Sequence, residues 1–274
     1  MPPHRKPSAD IRVATINLWG TEGDWPRRRE VLIEGLRALD ADIITLQESI
    51  VTSEYDQVYD ILSSEYQVLH QERRAPDGTG SSIASRLRLD TLRESFLQVT
   101  RRVDPNHGWI SNVAGVEVRA PQPVGDMLLV HLKPSWHPDH HPERELQSIV
   151  AANFTEELLR NRDLPVVLCG DLDAAPEARS IRFWKGKHTI DGMSARYVDA
   201  WEAVHPNEEG HTFTGRNPLV DAGKWPEETG RRIDYIFVKS LEVVDCSLFF
   251  DQPIDGVWAS DHFGVVADLT ATDT

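Results

Sequence analysis

Ile11-Arg-Val-Ala-Thr-Ile-Asn17, the segment 24–40, and Ile43-Ile-Thr-Leu-Gln47 together decide the class of fold. The first piece alternates in the manner of a strand. In the second, Val31, Leu32, Leu36 and Leu39 fall on one helical stripe, with Asp24 expected at the N-cap and Pro26 in the first turn. The third is again a strand, so the chain opens as strand, helix, strand. The pattern returns in looser form: strands are predicted at 83–85, 113–118, 127–132, 166–169, 233–238 and 264–269. Residues 142–160 predict a helix, with Pro142 and Glu143 in its first turn and Leu146, Ile149, Val150, Phe154 and Leu158 as its buried stripe. Many short strands with few helices predict an α/β protein with two packed sheets and helices outside, rather than one doubly wound parallel sheet.

The 274 residues carry 29 Lys and Arg against 44 Asp and Glu, a formal charge of −15, and are 40 % hydrophobic and 27 % charged. That composition excludes disordered and collagen-like chains. No repeat or linker divides the sequence, so residues 1–10 are expected as a flexible tail and 11–274 as a single domain. No apolar run approaches the roughly 20 residues of a membrane span, and no apolar segment follows the basic residues at the start. With Cys169 and Cys246 the only cysteines, a cytoplasmic monomer is expected. The acidic excess opposes a protein built to grip long nucleic acid, which releases counterions with a basic face.

Polar residues gather at the predicted strand ends: Asn17, Glu48 in Leu46-Gln-Glu48, His131 in Val130-His-Leu132, and Asp171 and Asp173 in Gly170-Asp-Leu-Asp173. Asp234 follows in Arg232-Ile-Asp-Tyr-Ile236, and Asp261 and His262 in Ser260-Asp-His262. Each alone reads as a turn, a cap or a satisfied histidine. Converging, the five carboxylates would repel one another unless a cation joined them, and hard oxygen ligands suit Mg²⁺ or Mn²⁺.

In this order, with Val13-Ala-Thr-Ile-Asn17 and Gly80 through Ser82-Ile-Ala-Ser-Arg86, the series resembles the endonuclease/exonuclease/phosphatase superfamily over about residues 11–269. The resemblance implies a four-layered α/β sandwich, as in deoxyribonuclease I, and metal-dependent cleavage of phosphate esters. It implies Glu48 as principal metal ligand, with Asn17 nearby and Asp261 completing the shell. Asp171 is then expected to orient or deprotonate the attacking water, and His131 and His262 to donate to phosphoryl oxygens. Asp234 is expected to hold His262 in its tautomer. Where the family has Gly-Asp-Xaa-Asn this chain has Asp173, a carboxylate facing an anionic substrate. A protonated Asp173, a second metal held by it, or a different substrate geometry would resolve the conflict, and the second is favoured.

Arg216 and Asn217, in a stretch similar to a substrate-side loop, and Trp258 are expected to touch substrate. Trp136, Trp184 and Trp225 also sit near polar loops, and Arg144 and Gln147 match an Arg-Xaa-Xaa-Gln of the family. His137, His140 and His141 read as exposed loop histidines rather than a zinc site, since Pro138 and Pro142 prevent a helical pair. The expected activity is hydrolysis of a short or single-stranded nucleic acid or a small phosphodiester, away from membranes. The alternatives are a phosphate-ester binding protein of the same fold that has lost catalysis, and a phosphomonoesterase or lipid phosphatase.

Overall fold

A computed structural model describes residues 3–103, 110–223 and 229–272. Its elements run β1 (Ile11–Asn17), α1 (Trp25–Leu39), β2 (Ile43–Ile50), α2 (Gln57–Ile61), β3 (Gln67–His70), β4 (Thr79–Ser85), β5 (Arg88–Leu89) and β6 (Arg93–Phe96). Then come β7 (Asn112–Arg119), β8 (Asp126–Lys133), α3 (His141–Leu159), β9 (Val166–Asp171), α4 (Arg179–Trp184), β10 (Val198–Asp199), α5 (Ala200–Val204) and α6 (Pro218–Ala222). The last three strands are β11 (Asp234–Lys239), β12 (Leu241–Phe249) and β13 (Gly264–Ala271). One sheet has the order β12-β13-β1-β2-β4-β3; the other runs β10-β11-β9-β8-β7-β5, with β6 also paired to β7. Both are mixed, because β1 lies parallel to β2 and β8 to β9 while their neighbours run antiparallel. α1 covers the outer face of the first sheet and α3 and α4 that of the second, which completes four layers. No described helix is long and apolar enough to cross a membrane.

Alternation along each strand sends every second side chain into the space between the sheets. Ile11, Val13, Ile43, Met127, Leu129, Val167, Cys169, Ile236 and Val238 form the apolar part of that layer. Further along the same faces stand Thr15, Thr45, Gln47 and His131, and then Asn17, Lys133, Asp171 and Asp234, all buried. The antiparallel strands join in: Asp234 opens β11 opposite Asp171, and Asp261 and His262 lead into β13. The layer thus grades from hydrocarbon to ionised groups, and its charged end is the mouth of the sandwich.

All six strands predicted after the opening unit are present, with β12 the largest element the sequence did not disclose. Its alternation breaks at a bulge between Val243 and Asp245, which moves the apolar residues out of step. In α1 the stripe Val31, Leu32, Leu36 and Leu39 is buried, but Asp24 makes no side-chain cap bond. In α3 the fully buried face is Arg144, Gln147, Ala151, Ala152, Thr155 and Leu159. Of the predicted stripe, Ile149, Val150, Phe154 and Leu158 lie at its margin, partly buried against the core, and Leu146 is likewise only partly buried. Small alanines bring this helix close to the sheet, where a Cβ on Gly115 would stand 2.3 Å from Leu158 Cδ1. At the start of the chain, the Arg5 guanidinium is 3.0 Å from Asp42, and the Lys6 amide donates to Asp268 at 2.7 Å.

Candidate active site

β1 ends at Asn17, whose side-chain amide joins the two sheets. Its Nδ2 donates to Glu48 Oε1 at 2.9 Å and to Asp171 Oδ2 at 3.0 Å, while its Oδ1 accepts from the Trp19 amide at 2.9 Å. Glu48 sits in a bulge of β2 opposite β4 at φ 55°, a left-handed conformation that L side chains seldom adopt. The bulge takes Glu48 out of the alternation of the strand, and its carboxylate lines the cavity at the mouth. Trp19 and Asp173 share the left-handed conformation, at φ 55° and 49°, so three residues at one mouth hold disfavoured backbone. Such strain persists where surrounding structure enforces it, and it gathers at working sites.

Asp171 is placed by Gly170, whose φ of 148° and close approach to β8 exclude a side chain: a Cβ would lie 2.1 Å from Leu132 O. Its Oδ2 accepts from Lys133 Nζ at 2.6 Å as well as from Asn17, and its Oδ1 accepts from the Asp173 amide at 3.1 Å. Burial opposes its charge, yet Lys133, His262 and these donors hold it down at about 2. Lys133 also donates to Asp173 Oδ2. The ammonium is almost completely buried, and the charges of Asp171, Asp173 and Glu48 outweigh that burial and raise its pKa. Burial and the neighbouring Asp171 push Asp173 up to about 6.

His262 Nδ1 lies 2.9 Å from Asp234 Oδ2, and its Nε2 faces Asp171 Oδ2 at 4.0 Å. Burial disfavours an imidazolium, but Asp234, Asp171 and Asp261 together raise its pKa to about 10, so His262 is a cation at neutral pH. Its backbone amide donates to Ser260 Oγ, and that hydroxyl bonds to Asn17 O at 2.7 Å, which ties the lead-in of β13 to the end of β1. Asp261 is raised to about 7, first by burial and then by the charge of Glu48, against lowering by His262 and Arg28. Among the described residues, neither Glu48 nor Asp261 forms an ion pair.

Glu48, Asp171, Asp173, Asp261 and His262 line one cavity of about 160 Å³, together with Trp19, Trp136, Phe213, Gly223, Arg231 and Ile233. Two larger cavities, of about 630 and 330 Å³, lie elsewhere and touch none of these carboxylates. The two-sheet mouth therefore assembles Asn17, Glu48, Asp171, Asp173, Asp234, Asp261 and His262. Among the described residues the one cluster of His and carboxylate ligand atoms is Asp171, Asp234 and His262, within 4.8 Å of one another.

Other expected positions fall differently. His131, expected at the phosphate, is fully buried below the mouth. Its Nε2 is 2.8 Å from Gln47 Nε2, so it accepts there, and burial with the nearby Lys133 pushes it down to about 3. It is a neutral member of the buried layer between the sheets. Asn217, also expected at substrate, caps α6 and donates to Ser260 O at 2.7 Å; Arg216 is exposed and outside the cavity lining. Trp258 stacks on Phe263 at 5.8 Å away from the lining, and Trp184 is core. Trp225 lies outside the described residues. Arg144 and Gln147 clamp the loop after β8: Arg144 donates to Ser135 O and His137 O, and Gln147 accepts from the Ser135 amide. That clamp carries Trp136 to the cavity rim. Sequence reasoning missed Lys133, Trp19, Phe213 and Arg231. Lys133 had a signal, because it stands two residues beyond His131 and so shares its strand face.

With this geometry in place, the sequence profile described as the Endonuclease/Exonuclease/phosphatase family matches residues 14–262. Among curated proteins none matches the chain by sequence. The structure resembles that of truncated Caenorhabditis elegans TDP2, with TM-score 0.74, 19 % identity, and 95 % of this chain and 97 % of that one covered. It resembles D. rerio TDP2 complexed with single-strand DNA product at TM-score 0.74 and 17 % identity, covering 95 % and 99 %. The Bacteroides thetaiotaomicron mannosyl-6-phosphatase Bt3783 gives TM-score 0.71 and 20 % identity over 95 % and 99 %.

Proposed function

The chain belongs to the endonuclease/exonuclease/phosphatase family, and on that premise we propose that it is a divalent-metal-dependent phosphodiesterase acting by attack of water. The observation that carries this is the pair Glu48 and Asp261: two carboxylates on one cavity without an ion-pair partner among the described residues, one of them raised to about 7. Hard oxygen donors crowded to that degree fit a Mg²⁺ or Mn²⁺ ion, which Glu48 and Asp261 would hold with Asn17 beside them. The ion supplies charge neutralisation at the phosphoryl oxygens.

The remaining steps belong to the chain. Asp171, fixed by Asn17, Lys133 and the Asp173 amide, accepts a hydrogen bond from the attacking water and aligns it. A carboxylate held this low is a weak base at rest, so orientation comes first and proton uptake follows as the water commits to phosphorus. His262 offers its Nε2 proton to a phosphoryl oxygen, and Asp234, at its Nδ1, orients the ring and stabilises the imidazolium. Trp19, Trp136 and Phe213 give the cavity aromatic walls on which a base or another flat leaving group can rest. A space of about 160 Å³ on a chain of charge −15 suits a short or single-stranded nucleic acid or a small phosphodiester rather than a long duplex.

Bis-p-nitrophenyl phosphate, with p-nitrophenyl phosphate as monoester control, tests this with and without Mn²⁺. Diester turnover that needs the metal and disappears in Glu48→Ala and His262→Ala is expected. Preferred cleavage of the monoester would make the protein a phosphatase instead, and metal-independent turnover or none would sink the proposal.

A further inference from the structure

Lys133 ends β8 with its ammonium between two carboxylates, 2.6 Å from Asp171 Oδ2 and bonded to Asp173 Oδ2. Its side chain is 1 % exposed. A buried ammonium is costly unless anions surround it, so Lys133 owes its charge to the two aspartates, and they owe part of theirs to Lys133. Asp173 occupies a place where an amide is usual in sequences this one resembles, and its side chain, 12 % exposed, reaches the cavity. Without Lys133 it would present a second, uncompensated negative charge to an anionic substrate. With Lys133 one of the two charges on the Asp171–Asp173 side of the mouth is already offset. A metal ion between these two aspartates would have to displace the ammonium. The cluster of Asp171, Asp234 and His262 is likewise taken: His262 Nδ1 is engaged by Asp234, and Asp171 Oδ2 accepts from both Lys133 and Asn17.

We propose that Lys133 is a built-in cation standing where a second metal ion would otherwise be required: a positioning residue that fixes Asp171 and cancels Asp173. The centre then works with one divalent ion, at Glu48 and Asp261. This rests on the metal-dependent reading above for that single ion, while the coupling of Lys133 to Asp173 stands apart from it.

Electron paramagnetic resonance counts bound Mn²⁺ in wild type, Asp173→Asn, Lys133→Ala and the double variant, and thermal unfolding is followed on all four. One Mn²⁺ is expected in wild type and Asp173→Asn, a second in Lys133→Ala where the carboxylates lose their ammonium, and one again in the double variant. Diester turnover is expected to fall about 10²-fold in Lys133→Ala and to recover at least about tenfold when Asp173→Asn is added. The double variant should also melt higher than Lys133→Ala. A lysine that merely filled space would give no such rescue. Two Mn²⁺ in wild type, reduced to one in Asp173→Asn, overturns the proposal, as does a Lys133→Ala protein that takes no second ion or a double variant no better than Lys133→Ala. If Lys133→Ala fails to fold and the double variant folds, that is the expected rescue; if neither folds, the Asp173→Asn count decides. A wild type that binds no Mn²⁺ and turns over nothing breaks the metal-dependent reading, and the unfolding comparison then settles Lys133 alone.

Discussion

The two sides of the mouth are built from the same residue types and treated oppositely. On the side of the second sheet, Asp171 and Asp173 share Lys133, and Asp234 has His262. On the side of the first sheet, Glu48 and Asp261 receive no ion-pair partner among the described residues, and burial leaves Asp261 near pKa 7. Folding has given one half cations of its own and left the other with none among the described residues, so the proposed metal dependence belongs to Glu48 and Asp261. The largest expected effect follows from removing that dependence. Glu48→Ala should lower diester turnover by about 10³-fold and abolish Mn²⁺ binding, with little loss of stability, because it relieves repulsion on Asp261. Unchanged Mn²⁺ affinity measured by calorimetry would contradict the contrast.

The two histidines draw the same distinction in protons. His262 has three carboxylates about it and rises to about 10; His131 meets burial and Lys133 and falls to about 3. Asp234→Asn removes the foremost carboxylate from His262, so turnover should drop about 10²-fold and its alkaline limb should move to lower pH. Because the folded pKa lies above the unfolded 6.5, the stability His262 contributes is present in full below pH 6.5 and is lost as pH rises through about 10. An imidazole resonance that titrates near 6.5 would refute this. His131 acts in the other direction. Its folded pKa lies below 6.5, so unfolding takes up a proton as pH falls, and stability is lost from about pH 6.5 downward. From pH 6.5 to 5 wild type should lose about 2 kcal/mol more than His131→Asn, which keeps an acceptor for Gln47. Parallel urea titrations at the two pH values measure the difference.

The strand, helix, strand opening and the six later strands were legible because alternation and helical stripes are local properties of the chain. The carboxylates of the mouth were legible too, as polar residues just beyond apolar runs, and the resemblance gave them roles. His131 looked like a site residue because it follows the same rule, but depth along a strand face is fixed by the packing of the opposite sheet, which no local pattern contains. The role of Asp173 was illegible for a related reason. Its partner lies forty positions earlier, and only the parallel pairing of β8 with β9 brings the two together. In α3, Arg144 and Gln147 turn inward because the loop after β8 offers carbonyls and an amide for them, and that shifted the expected buried stripe to the margin of the buried face.

Among the tryptophans the contrast between the two sides of the mouth becomes a question of affinity. Trp136 reaches the rim from the compensated side, 45 % exposed, on a loop held by Arg144 and Gln147. Trp258, nearer in sequence to the Asp261–His262 pair, spends its face on Phe263 and does not line the cavity. Stacking of a base on an exposed aromatic contributes about 1–3 kcal/mol, so Trp136→Ala should raise KM for a short single-stranded oligonucleotide by roughly tenfold while kcat changes little. Trp258→Ala should leave KM within about twofold and lower the melting temperature instead, since a partly buried ring is lost. Steady-state kinetics on both variants, beside their melting curves, separates the two roles. If Trp258→Ala carried the KM effect and Trp136→Ala the loss of stability, substrate would approach from the first sheet's side, and the aromatic wall would belong to the metal half rather than to the half that carries its own cation.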